Sequence, residues 1–536
     1  MPRSVPPTRT TSSGRTYDNP VIPGFHPDPS VCRVDGDYYL VCSSFEYFPG
    51  VPVFHSRDLV SWRQIGNVLD RPSQLDLPAD VRSSGGIYAP TIRHHDGRFW
   101  MITTNETGNG NFLVTSTDPA GPWSDPVWID LPRIDPDLAW DDDGTCWCTT
   151  SGVQTARIDP ETGAVLEGPL PVWSGTGLQH PEAPHLYRIG DWWYLMIAEG
   201  GTHRGHSVSI ARARSPRGPY EAAPNNPFLS HRSTDRPVQA TGHADLVQAT
   251  DGSWWMVLLG IRPRGSFPGW HVLGRETFLT PVQWVDGWPV VAPVELTTVA
   301  PAGTAPATAP PPDLTAAAER DDFDGTRLAP GWISPRSRPD ASWSLTERPG
   351  WLTLHAARPT LDRPGATFVG RRQQHADCRI SAHLDPGSAR AGLSARIDEA
   401  HHYDLEISGG TLRVLARIGP VSQVLAEHPA PRPGPLTLTI DVRSRDLLPP
   451  ASISAVQPVD APVGAVATGP DTISFRLETD DGPVVLAELD GRYLSTEVAY
   501  GFTGRVIGMY VTEGSAAFDW FDYQPVVHPH IALTAS

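Results

Sequence analysis

Three carboxylates stand beside prolines in short turn-like segments: Asp28 in GFHPDPS, Asp135 in RIDPD and Glu182 in HPEAP. Two carboxylates facing each other across a neutral, hydroxyl-rich substrate are the machinery of glycosidic bond cleavage, one protonating the leaving oxygen and the other activating water or attacking directly. A third acid nearby would raise the pKa of the proton donor and keep it protonated near neutral pH. Any one of these acids alone reads as a surface turn residue. Proline fixes φ and pushes the preceding residue toward extended conformations, so Pro27 and Pro29 predict a rigid, extended Asp28 at the mouth of a strand.

The elements that must position these acids repeat. DGDYYLVCSS, DGRFWMITTN, DDGTCWCTTS, IGDWWYLMIA and DGSWWMVLLG each place a polar turn with glycine before an aromatic-rich strand. Their glycines, Gly36, Gly97, Gly144, Gly190 and Gly252, are separated by 61, 47, 46 and 62 residues, the length of a four-stranded sheet with its turns. That period predicts a propeller of five blades. Eight or nine residues before each glycine, where an innermost strand begins, stand Asp28, Ala89, Asp135, Glu182 and His243. Equivalent positions in a radial array converge, so these residues are expected to point at the central axis. Like charges crowded there raise one another's pKa values, a cost that points to acid/base use.

Composition narrows the partners. Against 42 basic residues stand 60 acidic ones, a net charge of −18 that disfavours nucleic acid and anionic membranes and suits a neutral substrate. The 57 Pro, 49 Gly and 18 Trp predict a strand-rich, loop-rich protein with few helices, most of the tryptophans serving blade packing and some forming sugar-stacking platforms. No stretch has the apolar core of a signal peptide or a membrane span, which predicts a soluble, cytoplasmic protein. The five cysteines, Cys32, Cys42, Cys146, Cys148 and Cys378, read as buried free thiols rather than a zinc site.

After PVVAPVELTTV a Pro/Ala-rich run reads as a linker, and beyond it short alternating strands such as DCRISAHLD and TLRVLARI read as a β-sandwich. The expected organisation is an N-terminal tail over 1–16, a propeller over 17–300, a linker over 301–320 and a sandwich over 321–536, all-β throughout.

FHPDPS, SSFEYFPGVPVFHSRDLVSW, LDRPSQLDL, GGIYAPTI, DPDLAWDDDG, PEAPHLY, AEGGT, GHADLVQ and LGRETFL, in this order, resemble glycoside hydrolase family 43, in its β-xylosidase branch with a C-terminal jelly-roll sandwich. The resemblance implies Asp28 as general base, Asp135 as the acid that tunes pKa and positions substrate, and Glu182 as general acid, with Asp137 a competitor for the tuning role. It implies inversion, with water between Asp28 and the anomeric carbon and an Asp28–Glu182 separation of about 6.5–9.5 Å. It also implies that Arg275 binds sugar hydroxyls and that Phe45 and Tyr88 wall the pocket, Tyr88 standing where xylosidases often carry Trp. Ala89, Thr202 and His243 fall among the substrate-contacting positions. His243 is further a candidate neighbour of a structural Ca²⁺ on the axis, with no cofactor needed for bond breaking.

Phe502, in YGFTG, is the candidate for a sandwich residue reaching over the pocket and closing it to all but a terminal sugar. The expected activity is an exo-acting, inverting β-D-xylosidase on short xylo-oligosaccharides, with an α-L-arabinofuranosidase or a bifunctional enzyme as the nearest rival, since pocket contacts worth about 1–3 kcal/mol decide between the two sugars. A fructoside-processing propeller and a non-catalytic sugar-binding propeller are remoter readings, as is a sandwich acting as an independent carbohydrate-binding module. A homo-oligomer is a weak family expectation.

Overall fold

Each of the five glycine turns joins the innermost strand of a four-stranded antiparallel sheet to its second strand in the computed structural model, which describes residues 16–299, 319–336, 342–444 and 469–526. The innermost strands are Ser30–Val34, Ile87–His95, Asp137–Trp140, Glu182–Ile189 and Gln239–Gln248. In every blade the strands run outward in chain order, the fourth blade carrying one extra short pairing. The turns demand left-handed backbone: Gly97, Gly144, Gly190 and Gly252 have φ of 72°, 82°, 57° and 84°, and in the first blade Asp35 takes it instead, at 53°.

Blades pack face to face, so their inner strands are buried on both sides. Nine of the ten residues of Gln239–Gln248 are buried, for example. Trp100, Trp123, Trp147, Trp193, Trp255 and Trp288 are buried between sheets, as expected of blade packing. Cys146 and Cys148 lie together in one strand, and all five cysteines are free and buried. The ring is tied shut by Thr16–Asp18 pairing with Thr297–Val299, and by Asn19, whose side chain both donates to and accepts from the Leu279 backbone at 3.0 and 2.9 Å.

The C-terminal region is a β-sandwich of an eight-stranded and a six-stranded sheet around one apolar core that includes Leu393, Leu405, Val414, Ile440, Phe475 and Phe518. It is already under way at Glu319–Asp321, which pairs with Tyr523, Asp522 and Phe521. Residues 1–15 of the expected tail and 301–318 of the expected linker lie outside the described residues. Helix is confined, among the described residues, to two short turns, Gly491–Leu494 and Thr496–Ala499. Among the described residues no helix is long and apolar enough to cross a membrane.

The two domains share a strand pairing and a backbone-to-backbone contact. Ser334–Pro335, entering the sandwich, pairs with Tyr47–Phe48 of the propeller. Gly274 and Gly504 meet so closely that a Cβ on Gly274 would stand 2.8 Å from Gly504 N, and one on Gly504 2.4 Å from the Leu273 carbonyl carbon. Only glycine admits this approach, and Arg505 N–H donates to Val272 O beside it at 2.9 Å. The residues next along each chain are Arg275 and, two back from Gly504, Phe502.

Candidate active site

The mouth of each inner strand carries a residue of positive φ: Asp28 at 56°, Ala89 at 33°, Asp135 at 56°, Ala183 at 50°, and in the fifth blade Ala240 at 55° and His243 at 45°. Register breaks at Tyr88/Thr91, Glu182/His185 and Gly242/Asp245 mark the same places. These kinks turn the side chains inward. Asp28 therefore departs from the extended conformation that its following proline predicts. Left-handed backbone at a non-glycine residue costs of order 1–3 kcal/mol and persists only where its surroundings hold it. Three groups hold the Asp28 carboxylate: Ser43 Oγ donates to Oδ2 at 2.6 Å, while His243 Nδ1 and Arg275 Nη1 stand 3.3 and 3.5 Å from Oδ1.

Asp28, Asp135 and Glu182 interact electrostatically as one group. Burial alone would raise the Asp28 carboxyl, yet Arg275, His243 and Ser43 hold it below its ordinary value. His243 is itself pushed down to about 4 by burial, so near neutrality the lasting cation beside Asp28 is Arg275. Glu182 is pushed up to about 7, first by burial and then by the Asp28 charge. Asp135 is raised well above its ordinary value by burial, Glu182 and Asp28, and its Oδ2 accepts the Ala183 N–H at 3.0 Å. The charge that raises Glu182 is that of Asp28, while burial and both neighbouring acids raise Asp135.

The remaining expected residues gather around these acids. Arg275 Nη1 donates to Thr202 Oγ1 at 2.7 Å, and its guanidinium lies 5.0 Å from the Phe502 ring and 5.8 Å from Phe45. Phe45, Tyr88 and Phe502 form a triangle of rings with centroids 5.6, 5.8 and 5.9 Å apart. Ala89 contributes its backbone: its N–H donates to Ser43 Oγ at 2.7 Å, orienting the hydroxyl that donates to Asp28. Phe502 is held by the propeller through its own N–H, which donates to Ser84 Oγ at 2.8 Å, while Ser84 O accepts from Tyr88 Oη at 2.6 Å.

Asp137 is elsewhere. Its carboxylate is fully buried and takes Arg93 Nη2 at 2.6 Å and Leu186 N–H at 2.8 Å. Arg93, not anticipated from the sequence, occupies the propeller axis beneath the acids. Its guanidinium, projecting from the second blade, reaches Ser30 of the first at 3.2 Å, Asp137 of the third, His185 of the fourth at 3.0 Å and Asp245 of the fifth at 2.8 Å. Ser43 lies inside a motif quoted above, and Ser84 and Arg93 flank GGIYAPTI on either side, but no spacing rule marks them.

The axial arrangement does not fit a directly coordinated Ca²⁺ at His243. His243 Nδ1 faces Asp28, Asp137 and Asp245 are both engaged by Arg93, and among the described residues no three His, Cys, Asp or Glu side chains are spaced to hold a metal ion.

A propeller whose axis gathers three proline-flanked acids and an arginine, roofed on one side by a sandwich aromatic, defines a glycoside hydrolase. Residues 17–289 match the family described as glycosyl hydrolases family 43, and residues 320–524 match the β-xylosidase C-terminal concanavalin A-like domain. The chain belongs to glycoside hydrolase family 43. It is 41% identical to the non-reducing end α-L-arabinofuranosidase BoGH43B of Bacteroides ovatus, over 95% of both chains. It is 36% identical to a xylosidase/arabinosidase of Butyrivibrio fibrisolvens, over 94% of this chain and 98% of that one. The crystal structure of a xylan β-1,4-xylosidase from Bacillus halodurans superposes with a TM-score of 0.81 at 30% identity, covering 95% of this chain and all of the other.

Proposed function

We propose that this enzyme removes single pentoses from non-reducing ends with inversion, releasing xylose from short β-1,4-xylo-oligosaccharides. The observation that carries the reading is the opposed displacement of two neighbouring carboxyls, Asp28 below its ordinary value and Glu182 up to about 7. An ionised Asp28 takes a proton from water as the oxygen attacks the anomeric carbon, and a protonated Glu182 gives its proton to the departing sugar oxygen. Each turnover leaves Asp28 protonated and Glu182 ionised, and exchange with solvent resets both. Arg275, steadied by Thr202, binds sugar hydroxyls beside the base. Phe502, packed on Phe45 and Tyr88, supports an exo action by walling the pocket from the sandwich side.

A second reading, release of α-L-arabinofuranose, is favoured by the 41% identical relative of that printed activity and by Tyr88, where xylosidases often carry Trp. Hydrolysis of aryl β-D-xylopyranoside beside aryl α-L-arabinofuranoside, with the anomer of the first product followed by NMR, decides between them. Dominant arabinose release would replace the substrate and keep the mechanism. A retained anomer would make Asp28 a nucleophile and overturn the inverting reading.

A further inference from the structure

The six-stranded sheet of the sandwich carries a charged cavity that the active site does not use. On strand His401–Ser408, Tyr403, Leu405 and Ile407 enter the core while His402, Asp404 and Glu406 face the other way. Their cross-strand partners on Thr411–Ile418 are Arg417, Leu415 and Arg413 in the same order. With Arg390, Tyr510, Thr512 and the segment Pro359–Asp362 they enclose a cavity of about 150 Å³. Buried polar groups are normally paired, because leaving one unpaired costs about 1–3 kcal/mol. Here several are not. Asp404 Oδ1, Thr512 Oγ1 and Arg417 Nε are buried without a hydrogen-bond partner, Arg390 Nε has only Glu406 Oε1 at 3.7 Å, and Asp404 and Thr512 are each only 6% exposed.

The lining fits neither a metal ion nor a simple anion. Among the described residues no three acidic, histidine or cysteine groups are spaced to hold a metal ion, and a bare anion would face Asp404, Asp362 and Glu406 together. Instead, donors and acceptors alternate. His402 bridges Asp404 and Asp362 at 2.8 and 3.0 Å, Tyr510 Oη donates to Glu406 at 3.4 Å, and Arg390 faces Glu406 at 3.7 Å. Leu361 and Leu415 add an apolar patch. Alternating donors and acceptors beside an apolar surface are what a cyclic polyol presents in complement. The volume admits about five waters at ~30 Å³ each, the bulk of one small sugar ring and not of a chain.

We infer that this cavity is a second, non-catalytic binding site for a single pentose, on the six-stranded sheet of the sandwich. The identity of the sugar rests on the pentose reading of the active site; the site itself does not. Tyr510 and Leu361 belong to the same apolar cluster as Phe45, against which Tyr88 and Phe502 pack, so one cluster links the cavity to the aromatic triangle of the candidate active site.

Saturation-transfer NMR with free xylose and free arabinose tests this on the full chain carrying Arg275→Ala, which removes the proposed arginine–sugar contact of the active site. One of the two sugars is expected to receive saturation from that variant. Adding Ser422→Trp, at the exposed rim of the cavity, or Thr512→Val, which deletes an unpaired hydroxyl, is expected to abolish or weaken that transfer severalfold. In the otherwise unaltered enzyme Ser422→Trp should leave hydrolysis of aryl pentosides unchanged. Absence of transfer in the Arg275→Ala chain, or its persistence with both cavity substitutions, overturns the proposal. Equal transfer to glucose overturns the pentose assignment. Failure of the unaltered enzyme to hydrolyse either aryl pentoside would instead refute the active-site reading and leave the saturation-transfer result standing.

Discussion

Arg275 of the propeller and Phe502 of the sandwich stand face to face, guanidinium 5.0 Å from ring centroid, with the arginine also 3.5 Å from the Asp28 carboxylate. One cation therefore touches the proposed base, the proposed sugar site and the neighbouring domain. Phe502→Ala should remove a cation–π contact worth about 0.5–2 kcal/mol and two ring contacts. The expected result is a KM raised severalfold or more with kcat less affected, read from steady-state kinetics on an aryl pentoside. An unchanged KM would remove Phe502 from the pocket wall.

The pH dependence follows from the displaced carboxyls. On the proposed mechanism the rate needs Glu182 protonated and Asp28 ionised. Because Glu182 sits at about 7 and Asp28 below its ordinary value, kcat/KM should fall as pH rises through about 7, and should fall in acid only below the ordinary Asp range. A profile whose basic limb lies above pH 9, or whose acidic limb lies near 6, contradicts this assignment.

Carboxyl-carbon NMR separates the charges acting on Glu182. In Asp28→Asn the Glu182 pKa should drop from about 7, since the Asp28 charge is the second cause of its elevation after burial. Activity should fall by about 10²–10⁴ in this variant and in Glu182→Gln, the usual worth of a general base or acid. No movement of Glu182 in Asp28→Asn would mean that burial alone sets it.

Arg93 should govern stability and metal indifference together. Arg93→Met leaves the buried Asp137 and Asp245 carboxylates without their cation, a loss of about 3–5 kcal/mol by denaturant titration. With Arg93 in place, EDTA should leave the rate unchanged. Chelator inactivation reversed by Ca²⁺ would show that a cation site exists which the axial residues do not account for.

Much of this site was readable in the linear chain because the blades keep register. The same offset from each glycine turn that located Asp28 also located Asp135, Glu182, Ala89 and His243; the first four stand at or beside inner-strand starts, while His243 lies midway along Gln239–Gln248 and reaches Asp28 from there. The conformation of Asp28 was not readable. Local sterics before Pro29 favour extended backbone, and only tertiary contacts from Ser43, His243 and Arg275 reverse that preference. Arg93 was missed for a related reason: its partners come from four other blades, and nothing in IYAPTIR announces which arginine turns inward. Phe502 was found through family likeness, while its clasp by Ser84 spans 418 residues and has no local signature.

The route by which Phe502 arrives has a temporal consequence. During synthesis Asp28 emerges long before Phe502, and the ring itself cannot be tied until Thr297–Val299 is available to meet Thr16–Asp18. The acids can be gathered once that strand is made, yet their pocket still lacks a wall until the last strands of the sandwich follow. Every acid of the site is thus made more than 300 residues before Phe502, so the aromatic that faces Arg275 is the last piece of the site to be synthesised.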